Sequence, residues 1–290
     1  MHQLITELIA KGPVVTDGAW GTELQARGLP SGEFPDMWNL TQPEKVEEVA
    51  RAYVAAGSQV ILTNTFGANR IRLGTHALAD QVVQINRAGV EISRRAAAGR
   101  AKVFASIGPS GKLLMAGETT ETELRAAFAE QASILAQAGA DAIVIETMSD
   151  LTEVQLAVPA AHATGLPVVA CMVFDSGKNK DRTMMGITPE QAAEALTAAG
   201  ADVIGANCGQ GIAGFVAIAK RLRAATDRPI WLKPNAGLPE LANGRTVYVT
   251  KPEEFAIYVP ELISAGVSFI GGCCGTNHAF IQAIVHSLHR

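Results

Sequence analysis

The chain has 290 residues, of which 48% are apolar and 18% charged, and it carries a formal net charge of -4 at pH 7. This weakly acidic balance offers no basic surface to a polyphosphate, so we expect no nucleic-acid partner. We also expect no membrane contact, since the first residues lack the regions of a secretory signal and no apolar run reaches the roughly 18 residues of a membrane helix.

A repeated unit runs along the chain. Four segments read Ala-Gly, two further residues and then an apolar strand with a polar end: AGSQVILTNT, AGADAIVIET, AGADVIGANC and AGVSFIGGCC. Four more apolar runs occur in PVVTDG, KVFASIG, LPVVACMVF and RPIWLKPN. Together they predict eight strands that begin near residues 13, 59, 102, 142, 167, 202, 229 and 268.

Segments with helical periodicity lie between these strands. Examples are PEKVEEVARAYVAA, ETELRAAFAEQASILAQA and TPEQAAEALTAA, each of which is followed by or ends at an Ala-Gly pair. The glycine predicts a helix stop, because it adopts the left-handed backbone conformation at little cost. In the third segment, Thr188, Pro189 and Gln191 stand at the positions of an N-cap, a first-turn proline and a capping-box glutamine.

The strands lack the alternation of apolar and polar residues, which is typical of a parallel sheet buried on both faces. Eight strand and helix units predict an α/β fold, a single (β/α)8 TIM barrel that spans residues 1–290 as one domain. A doubly wound open sheet is the alternative. The connections from Leu29 to Pro43 and from Ala236 to Pro252 are too long for ordinary turns, and we expect them to cover a site.

The C-terminal ends of all strands in such a barrel meet at one face, where several strands contribute catalytic groups. Polar and sulfur-bearing residues at the predicted strand ends are therefore candidates for a common site. In strand order they are Asp17, Thr63, Asn64, Ser106, Glu146, Thr147, Cys208, Lys233, Asn235, Cys273 and Cys274.

The four cysteines are too few and too unevenly spaced for a disulfide framework, so we expect a reducing, cytoplasmic environment. Cys171 lies within a strand, where core packing is the default. The adjacent Cys273 and Cys274 allow three interpretations: small buried hydrophobes, a redox pair, or a metal site shared with Cys208. In the third, the glycines around the pair let the backbone turn both sulfurs toward one point.

Three thiolates from Cys208, Cys273 and Cys274 favour Zn²⁺, and they leave one tetrahedral position open, as in catalytic sites. His278 is an alternative fourth ligand, although its place in the next predicted helix favours an exposed side chain. Zinc with three thiolates is a poor source of hydroxide and a good holder of an added thiol, which it keeps deprotonated. The pattern therefore indicates alkyl transfer to the sulfur of a substrate.

Six motifs spread from the first strand to the last resemble those of the homocysteine S-methyltransferase family. They are DGAWGT from Asp17, TNTF from Thr63, ETMSD from Glu146, GANC from Gly205, KPNAGLPEL from Lys233 and GGCCGT from Gly271. The chain is most similar to the homocysteine-binding module of cobalamin-dependent methionine synthase, with betaine and S-methylmethionine enzymes as relatives. The resemblance implies a zinc-bearing barrel that transfers a methyl group to L-homocysteine and forms methionine.

The same resemblance implies roles for individual residues. Cys208, Cys273 and Cys274 would be the zinc ligands, with the substrate sulfur as the fourth, and Asn235 would ligate or orient the metal when substrate is absent. Around the substrate, Glu146 would bind the ammonium with Asp17 beside it, and the backbone amides near Gly21 and Thr22 would cradle the carboxylate. A carboxylate at the end of an apolar strand, such as that of Glu146, also needs a partner on grounds of charge.

The methyl donor stays open at this stage. Candidates are betaine, S-methylmethionine, a dimethylsulfonio compound, and a partner protein that carries a methyl-corrinoid or methylfolate. Trp20 stands where the family often has methionine, which affects the donor side. Two rivals to the methyltransferase are an aldolase-type barrel, with Lys233 as a Schiff-base lysine or GGCCGT and Gly237 as a phosphate cradle, and a non-catalytic zinc or thiol-sensing subunit.

Overall fold

The structure is a computed structural model that describes residues 1–30, 32–242 and 245–289. Its strands are β1 (Val14–Val15), β2 (Val60–Ile61), β3 (Lys102–Ile107), β4 (Ala142–Met148), β5 (Val168–Met172), β6 (Val203–Gly211), β7 (Ile230–Asn235), β8 (Glu240–Ala242), β9 (Arg245–Val247) and β10 (Val267–Ile270). Its α-helices are α1 (Gln3–Ile9), α2 (Gly21–Ala26), α3 (Trp38–Thr41), α4 (Pro43–Ala56), α5 (Arg70–Gly74), α6 (Val82–Ala97), α7 (Glu121–Gln137), α8 (Leu151–His162), α9 (Pro189–Ala198), α10 (Ile212–Ala225), α11 (Pro252–Ala256), α12 (Val259–Ser264) and α13 (His278–Leu288). Short 3-10 helices span Pro35–Met37, Ala79–Gln81 and Leu114–Ala116.

Eight of the described strands form one parallel sheet in the order β1-β10-β7-β6-β5-β4-β3-β2. The two end strands also meet, because Gln59 N–H donates to the carbonyl of Val15 at 2.8 Å. Side chains complete this seam: Gln59 Oε1 accepts from Val15 N–H at 2.9 Å, and Asp17 Oδ2 accepts from Leu62 N–H at 2.7 Å. The predicted (β/α)8 barrel is confirmed, and each barrel strand begins within one residue of its predicted start.

Two apolar layers hold the barrel together. The interior contains Leu62, Phe104, Trp231 and Phe269, and the other layer lies between the strands and the surrounding helices. Ile5 of α1 joins the interior cluster and so covers the end at which the strands begin. This double burial explains why the strands read as continuous apolar runs.

Helix boundaries follow the capping signals in the sequence. Helix α9 begins after Thr188, which forms a capping box with Gln191, and α4 coincides with the predicted segment. The glycines of the four repeated Ala-Gly pairs, Gly57, Gly139, Gly200 and Gly266, all have positive φ. Over the described residues, every helix falls short of the length or the apolar character that crossing a bilayer requires.

The two long connections contain short elements where the sequence predicted only irregular loops. The first holds the 3-10 helix Pro35–Met37 and α3, and the second holds β8 and β9, which pair as an antiparallel hairpin. Part of each connection, residue 31 and residues 243 and 244, lies outside the described residues. Residues 32–36 line the cavity at the mouth of the barrel, so the first connection covers that site as expected.

Candidate metal and substrate site

The sulfur atoms of Cys208, Cys273 and Cys274 converge at the C-terminal face of the barrel. The three Sγ atoms all lie within 4.8 Å of one another, and Cys208 Sγ is 4.0 Å from Cys274 Sγ. Tetrahedral thiolates at about 2.3 Å from zinc are about 3.8 Å apart, so the observed spacing suits a shared metal ion. All four cysteines of the chain are free.

Two residues weighed from the sequence lie outside this cluster. Cys171 is fully buried in the apolar interior of the barrel, as its position within β5 predicts. His278 is an exposed residue at the start of α13. His278 does not belong to the group of potential metal-binding side chains, which consists of the three cysteines in the described structure.

Unusual backbone geometry turns the sulfurs toward one point. Cys208 has a φ of +61°, and a left-handed conformation at a non-glycine residue costs about 1–3 kcal/mol. After β10, the carbonyl of Cys273 accepts from Thr276 N–H in a tight turn, and Gly275 within this turn has a φ of +81°. A Cβ atom on Gly275 would also lie 2.2 Å from Cγ of the Tyr248 ring. The turn therefore requires glycine at this position for both conformation and space.

Gly271 and Gly272 do not turn the backbone at the cysteines, although the sequence predicted this for the glycines around the pair. Gly271 and Gly272 do not have left-handed backbones. An added Cβ would lie 2.0 Å from Thr16 Oγ1 at Gly271 and 2.3 Å from Thr276 Oγ1 at Gly272. These glycines let the segment after β10 approach Thr16 and Thr276 closely, and Gly275 alone of the three supplies the unusual φ value.

The three thiols hold their protons unequally. Hydrogen bonds from Cys273 and Cys274 lower the pKa of Cys208 to about 3. The interaction with Cys208 raises the pKa of Cys274 to about 12 and that of Cys273 well above its ordinary value. The cluster thus favours one thiolate held by two thiols, and three thiolates together need a cation to offset their mutual repulsion.

Two further side chains contact the sulfurs. Asn235, at the end of β7, is 4% exposed, and its hydrogen bond to Cys208 contributes to the low pKa of that thiol. Asn235 Oδ1 has no hydrogen-bond partner among the described residues. A buried oxygen that lacks a partner is costly, and the sulfur donors of the three cysteines suit a divalent metal ion such as zinc. Tyr248 hydrogen-bonds to Cys274, and burial together with the nearby sulfurs raises the pKa of its hydroxyl.

Glu146 is a nearly buried carboxylate at the end of β4, with 8% exposure. Its Oε1 accepts from Ser106 Oγ at 2.5 Å, and its Oε2 accepts from Asn207 Nδ2 at 3.3 Å. Burial raises the pKa of Glu146, and the positive charge of Lys233 opposes that shift. The carboxylate faces the cavity, so a cationic group bound there would relieve the cost of burying it.

Asp17 forms a buried ion pair with Lys233. The Lys233 ammonium donates to Asp17 Oδ1, and the two side chains are almost completely inaccessible to solvent. Asp17 Oδ2 accepts from Trp20 Nε1 at 2.8 Å as well as from Leu62 N–H. Burial lowers the pKa of Lys233, but the charges of Asp17 and Glu146 outweigh it and raise that pKa overall. A protonated, ion-paired lysine is not a nucleophile, which counts against the Schiff-base interpretation.

Gly21 and Thr22 lie at the start of α2. Gly21 is exposed and lines the cavity, whereas Thr22 uses its Oγ1 to accept from Gly275 N–H at 3.2 Å. The hydroxyl of Thr22 thus ties the start of α2 to the turn that carries the cysteines. Their part in binding a carboxylate stays a prediction.

A cavity of about 550 Å³ joins these groups, within the usual size range of small-molecule sites. Its sulfur side is formed by the cysteine cluster and Glu146. Its other side, called the donor side below, is formed by Trp20, Phe34, Asp36, Phe66, Arg72 and His76. There Arg72 lies over the Phe66 ring at 5.7 Å, and the rings of Phe34 and His76 are 4.9 Å apart.

Several residues at the site have roles that the sequence did not predict. Asn207 hydrogen-bonds to both Glu146 and Thr147, and Lys233 neutralises Asp17. Asn207 was visible in the sequence as the neighbour of a ligand candidate in GANC, and Lys233 as a strand-end cation. Tyr248 carried no signal, because it reaches the cysteines from a long connection.

Comparison with known proteins gives matches over almost the whole chain. A family model described as homocysteine S-methyltransferase matches residues 14–288. Methionine synthase from Mycobacterium tuberculosis is 32% identical over 299 residues, which cover 97% of this chain and 25% of that protein. Betaine–homocysteine S-methyltransferase 1 from Danio rerio is 27% identical, over 98% of this chain and 75% of the relative. The chain thus spans about a quarter of the length of the methionine synthases that it matches.

Solved structures show the same fold. The homocysteine methyltransferase MmuM from Escherichia coli, in its metallated form, superposes with a TM-score of 0.80 at 23% identity, over 97% of this chain and 98% of that one. The oxidized form of the same protein gives an equal TM-score over 99% of its chain. At this level of identity the likeness supports the architecture of the barrel.

Proposed function

Because the chain belongs to the homocysteine S-methyltransferase family, as its motifs indicated, we propose that it transfers a methyl group from a small donor to the sulfur of L-homocysteine. The product is methionine. The observation that carries this proposal is the convergence of three cysteine sulfurs beside a buried carboxylate in one cavity. A thiol nucleophile and an amino-acid ammonium are the two groups that such a pair of subsites selects.

The sulfur side would hold Zn²⁺ through Cys208, Cys273 and Cys274. When bound, the ion would keep the thiol of homocysteine deprotonated at neutral pH, whereas a free thiol with a pKa near 8.5 is only a few per cent ionised. Asn235 supports this assignment, because its side chain hydrogen-bonds to Cys208 and its buried Oδ1 lacks a partner in the described structure. It would contribute to the metal site when the substrate sulfur is absent.

Glu146 would orient the substrate by accepting its ammonium group. Its raised pKa reflects burial, and an ammonium in the cavity would restore the charged form. Asp17 is engaged by Lys233, so it would act on the substrate through its neighbours and its charge. Gly21 lines the cavity at the start of α2, where backbone amides near Gly21 and Thr22 would receive the substrate carboxylate.

The donor side of the cavity favours a small, positively charged methyl donor. Trp20 and Phe34 line it, and aromatic faces attract onium groups, whereas the Arg72 guanidinium already lies over the Phe66 ring. The carboxyl group of Asp36 also lines this side of the cavity, and burial raises its pKa to about 7. Betaine, S-methylmethionine and dimethylsulfonio compounds all present such a methyl group. A corrinoid- or folate-carrying partner protein is the alternative source.

Zinc content and methionine formation test the proposal together. We expect about one zinc per chain, and loss of both zinc and activity in Cys208→Ser, Cys273→Ser and Cys274→Ser. Cys171→Ser is the matched control, because this buried thiol lies outside the cluster and its replacement should leave the zinc in place. Full zinc content in all three ligand variants would refute the metal assignment.

Substrate screening then distinguishes the rival functions. The wild-type protein should form methionine from homocysteine with at least one of betaine, S-methylmethionine, dimethylsulfoniopropionate, methylcobalamin or methyltetrahydrofolate. Covalent trapping by borohydride with a carbonyl substrate would favour the aldolase-type alternative. Zinc binding without methionine from any of these donors would favour a sensing subunit.

A further inference from the structure

Asn207 is a buried amide that links the two halves of the site. It lies within β6 next to Cys208, where the regular pairing with β7 is interrupted, and is 1% exposed. Its Oδ1 accepts from Thr147 N–H at 2.8 Å, and its Nδ2 lies 2.7 Å from Thr147 Oγ1, 3.3 Å from Glu146 Oε2 and 3.9 Å from Cys273 Sγ. A single side chain thus contacts the carboxylate, the strand end that carries it, and one of the sulfurs.

The orientation of this amide follows from its partners. The backbone N–H of Thr147 can only donate, so the atom that faces it must be the oxygen of Asn207. The nitrogen therefore faces the other three atoms and has two hydrogens for them. With the shortest contact, to Thr147 Oγ1, using one hydrogen, the second is shared between the Glu146 carboxylate and the Cys273 sulfur.

Thr147, which hydrogen-bonds to Asn207, and Cys208, which follows Asn207 in the chain, both have strained backbones. Thr147 has a φ of +62° and Cys208 one of +61°, and both belong to the few non-glycine residues with positive φ in the described chain. A β-branched residue is especially disfavoured in this region. Asn207 accepts a hydrogen bond from the backbone N–H of Thr147 and donates one to its hydroxyl. These two bonds offset the strain at Thr147 and orient the neighbouring Glu146.

We propose that Asn207 is a positioning residue that couples ammonium recognition at Glu146 to the sulfur cluster, by sharing one amide hydrogen between the Glu146 carboxylate and the Cys273 sulfur. This inference rests on the proposed function. An ammonium that binds Glu146 keeps this carboxylate ionised, and the charged carboxylate accepts that hydrogen more strongly and draws it away from Cys273. The amino-acid end of the substrate would in this way influence the sulfur end, and a thiol without an amino group would not.

Homocysteine binding to the zinc-loaded protein tests this coupling. We expect Asn207→Ser to retain about one zinc per chain and to bind homocysteine roughly ten- to a hundredfold more weakly, as calorimetric titration measures. The Kd of 4-mercaptobutanoate, a homocysteine analogue without the ammonium, should change by less than about twofold. In a double-mutant cycle with Glu146→Gln, the double variant should bind homocysteine as the weaker single variant does, whereas independent residues would multiply their losses.

Controls separate positioning from general damage. Asn86→Asp replaces another fully buried amide, which bonds to Ala68 O and Val82 O and does not itself line the cavity, and it should lower the melting temperature while leaving both Kd values unchanged. Asn207→Gln keeps an amide, adds no charge beside Glu146 and Cys273, and replaces Asn207→Ser if that variant does not fold; the same pattern is expected from it because its nitrogen is displaced by one methylene. Equal losses for homocysteine and its analogue, or multiplied losses in the cycle, would overturn the coupling. Failure of the wild-type protein to bind homocysteine would instead overturn the proposed function and this inference with it.

Discussion

Replacing Lys233 by methionine should destabilise the protein strongly, because it leaves the Asp17 carboxylate buried without its counter-ion. Both side chains are nearly inaccessible, with exposures of 2% and 0%. Removal of one partner from a buried ion pair costs about 3–5 kcal/mol. Asp17 keeps its hydrogen bonds from Trp20 and Leu62, which places the expected loss at the lower end of that range, about 3 kcal/mol.

Urea denaturation at pH 7 measures this loss as a change in the free energy of unfolding. The double variant Asp17→Asn with Lys233→Met removes both charges and should recover a large part of the stability. Lys220→Met is the matched control, because Lys220 pairs with Glu261 at 3.0 Å on the surface, with side-chain exposures of 59% and 53%. Its loss should stay below about 1 kcal/mol.

The pH dependence provides a second measurement on the same pair. The pKa of Lys233 is raised in the folded protein, so its contribution to stability is fully present below the unfolded pKa near 10.5 and is lost as the pH rises through the folded value. Wild-type stability should therefore fall at alkaline pH more steeply than that of the double variant. A loss below about 1 kcal/mol for Lys233→Met at pH 7, or a double variant as unstable as the single one, would refute the reasoning.

Three further predictions concern the cavity and its turn. Glu146→Gln should raise the Kd for homocysteine roughly ten- to a hundredfold without loss of zinc, and an unchanged Kd would remove Glu146 from the site. Burial raises the pKa of Asp36 from 3.8 to about 7, so the free energy of unfolding of the wild type should fall as the pH rises from about 4 to 7. Asp36→Asn should flatten this pH dependence in urea denaturation. Gly275→Ala should lower both zinc content and melting temperature, because its Cβ meets the Tyr248 ring. Gly165→Ala, at a φ of +79° with nothing within 4 Å, isolates the backbone part of that cost, and equal effects of the two variants would contradict the steric argument.

Local signals in the sequence were sufficient for the barrel. The Ala-Gly pairs end helices through the left-handed backbone of the glycine, and Thr188 with Gln191 caps α9 through bonds over three residues. Such signals act within a few residues, so they can be recognised in the sequence without knowledge of the fold. They failed where short elements formed inside the long connections, because the pairing of β8 with β9 depends on the surrounding loop.

The cysteine cluster was predictable for a related reason. Parallel strands in a barrel all end at one face, so residues at strand ends are brought together whatever their separation in sequence. Cys208 and Cys274 are 66 residues apart, and their sulfurs are 4.0 Å apart. The glycines near the cysteines indicated a close turn, but only the structure separates Gly275, which supplies a left-handed backbone, from Gly271 and Gly272, which supply space.

The amino-acid sequence by itself determined the strand order along the chain, the helix ends and the set of groups that share one face. Only the tertiary structure decided which of those groups bind one another. Asp17 pairs with Lys233, 216 residues away, and Asn207 of β6 hydrogen-bonds to Glu146 and Thr147 of β4, two strands away in the sheet. The physical reason is that pairing among buried polar groups depends on distances of a few tenths of an ångström and on which atoms lack other partners, and neither quantity is encoded in a local pattern.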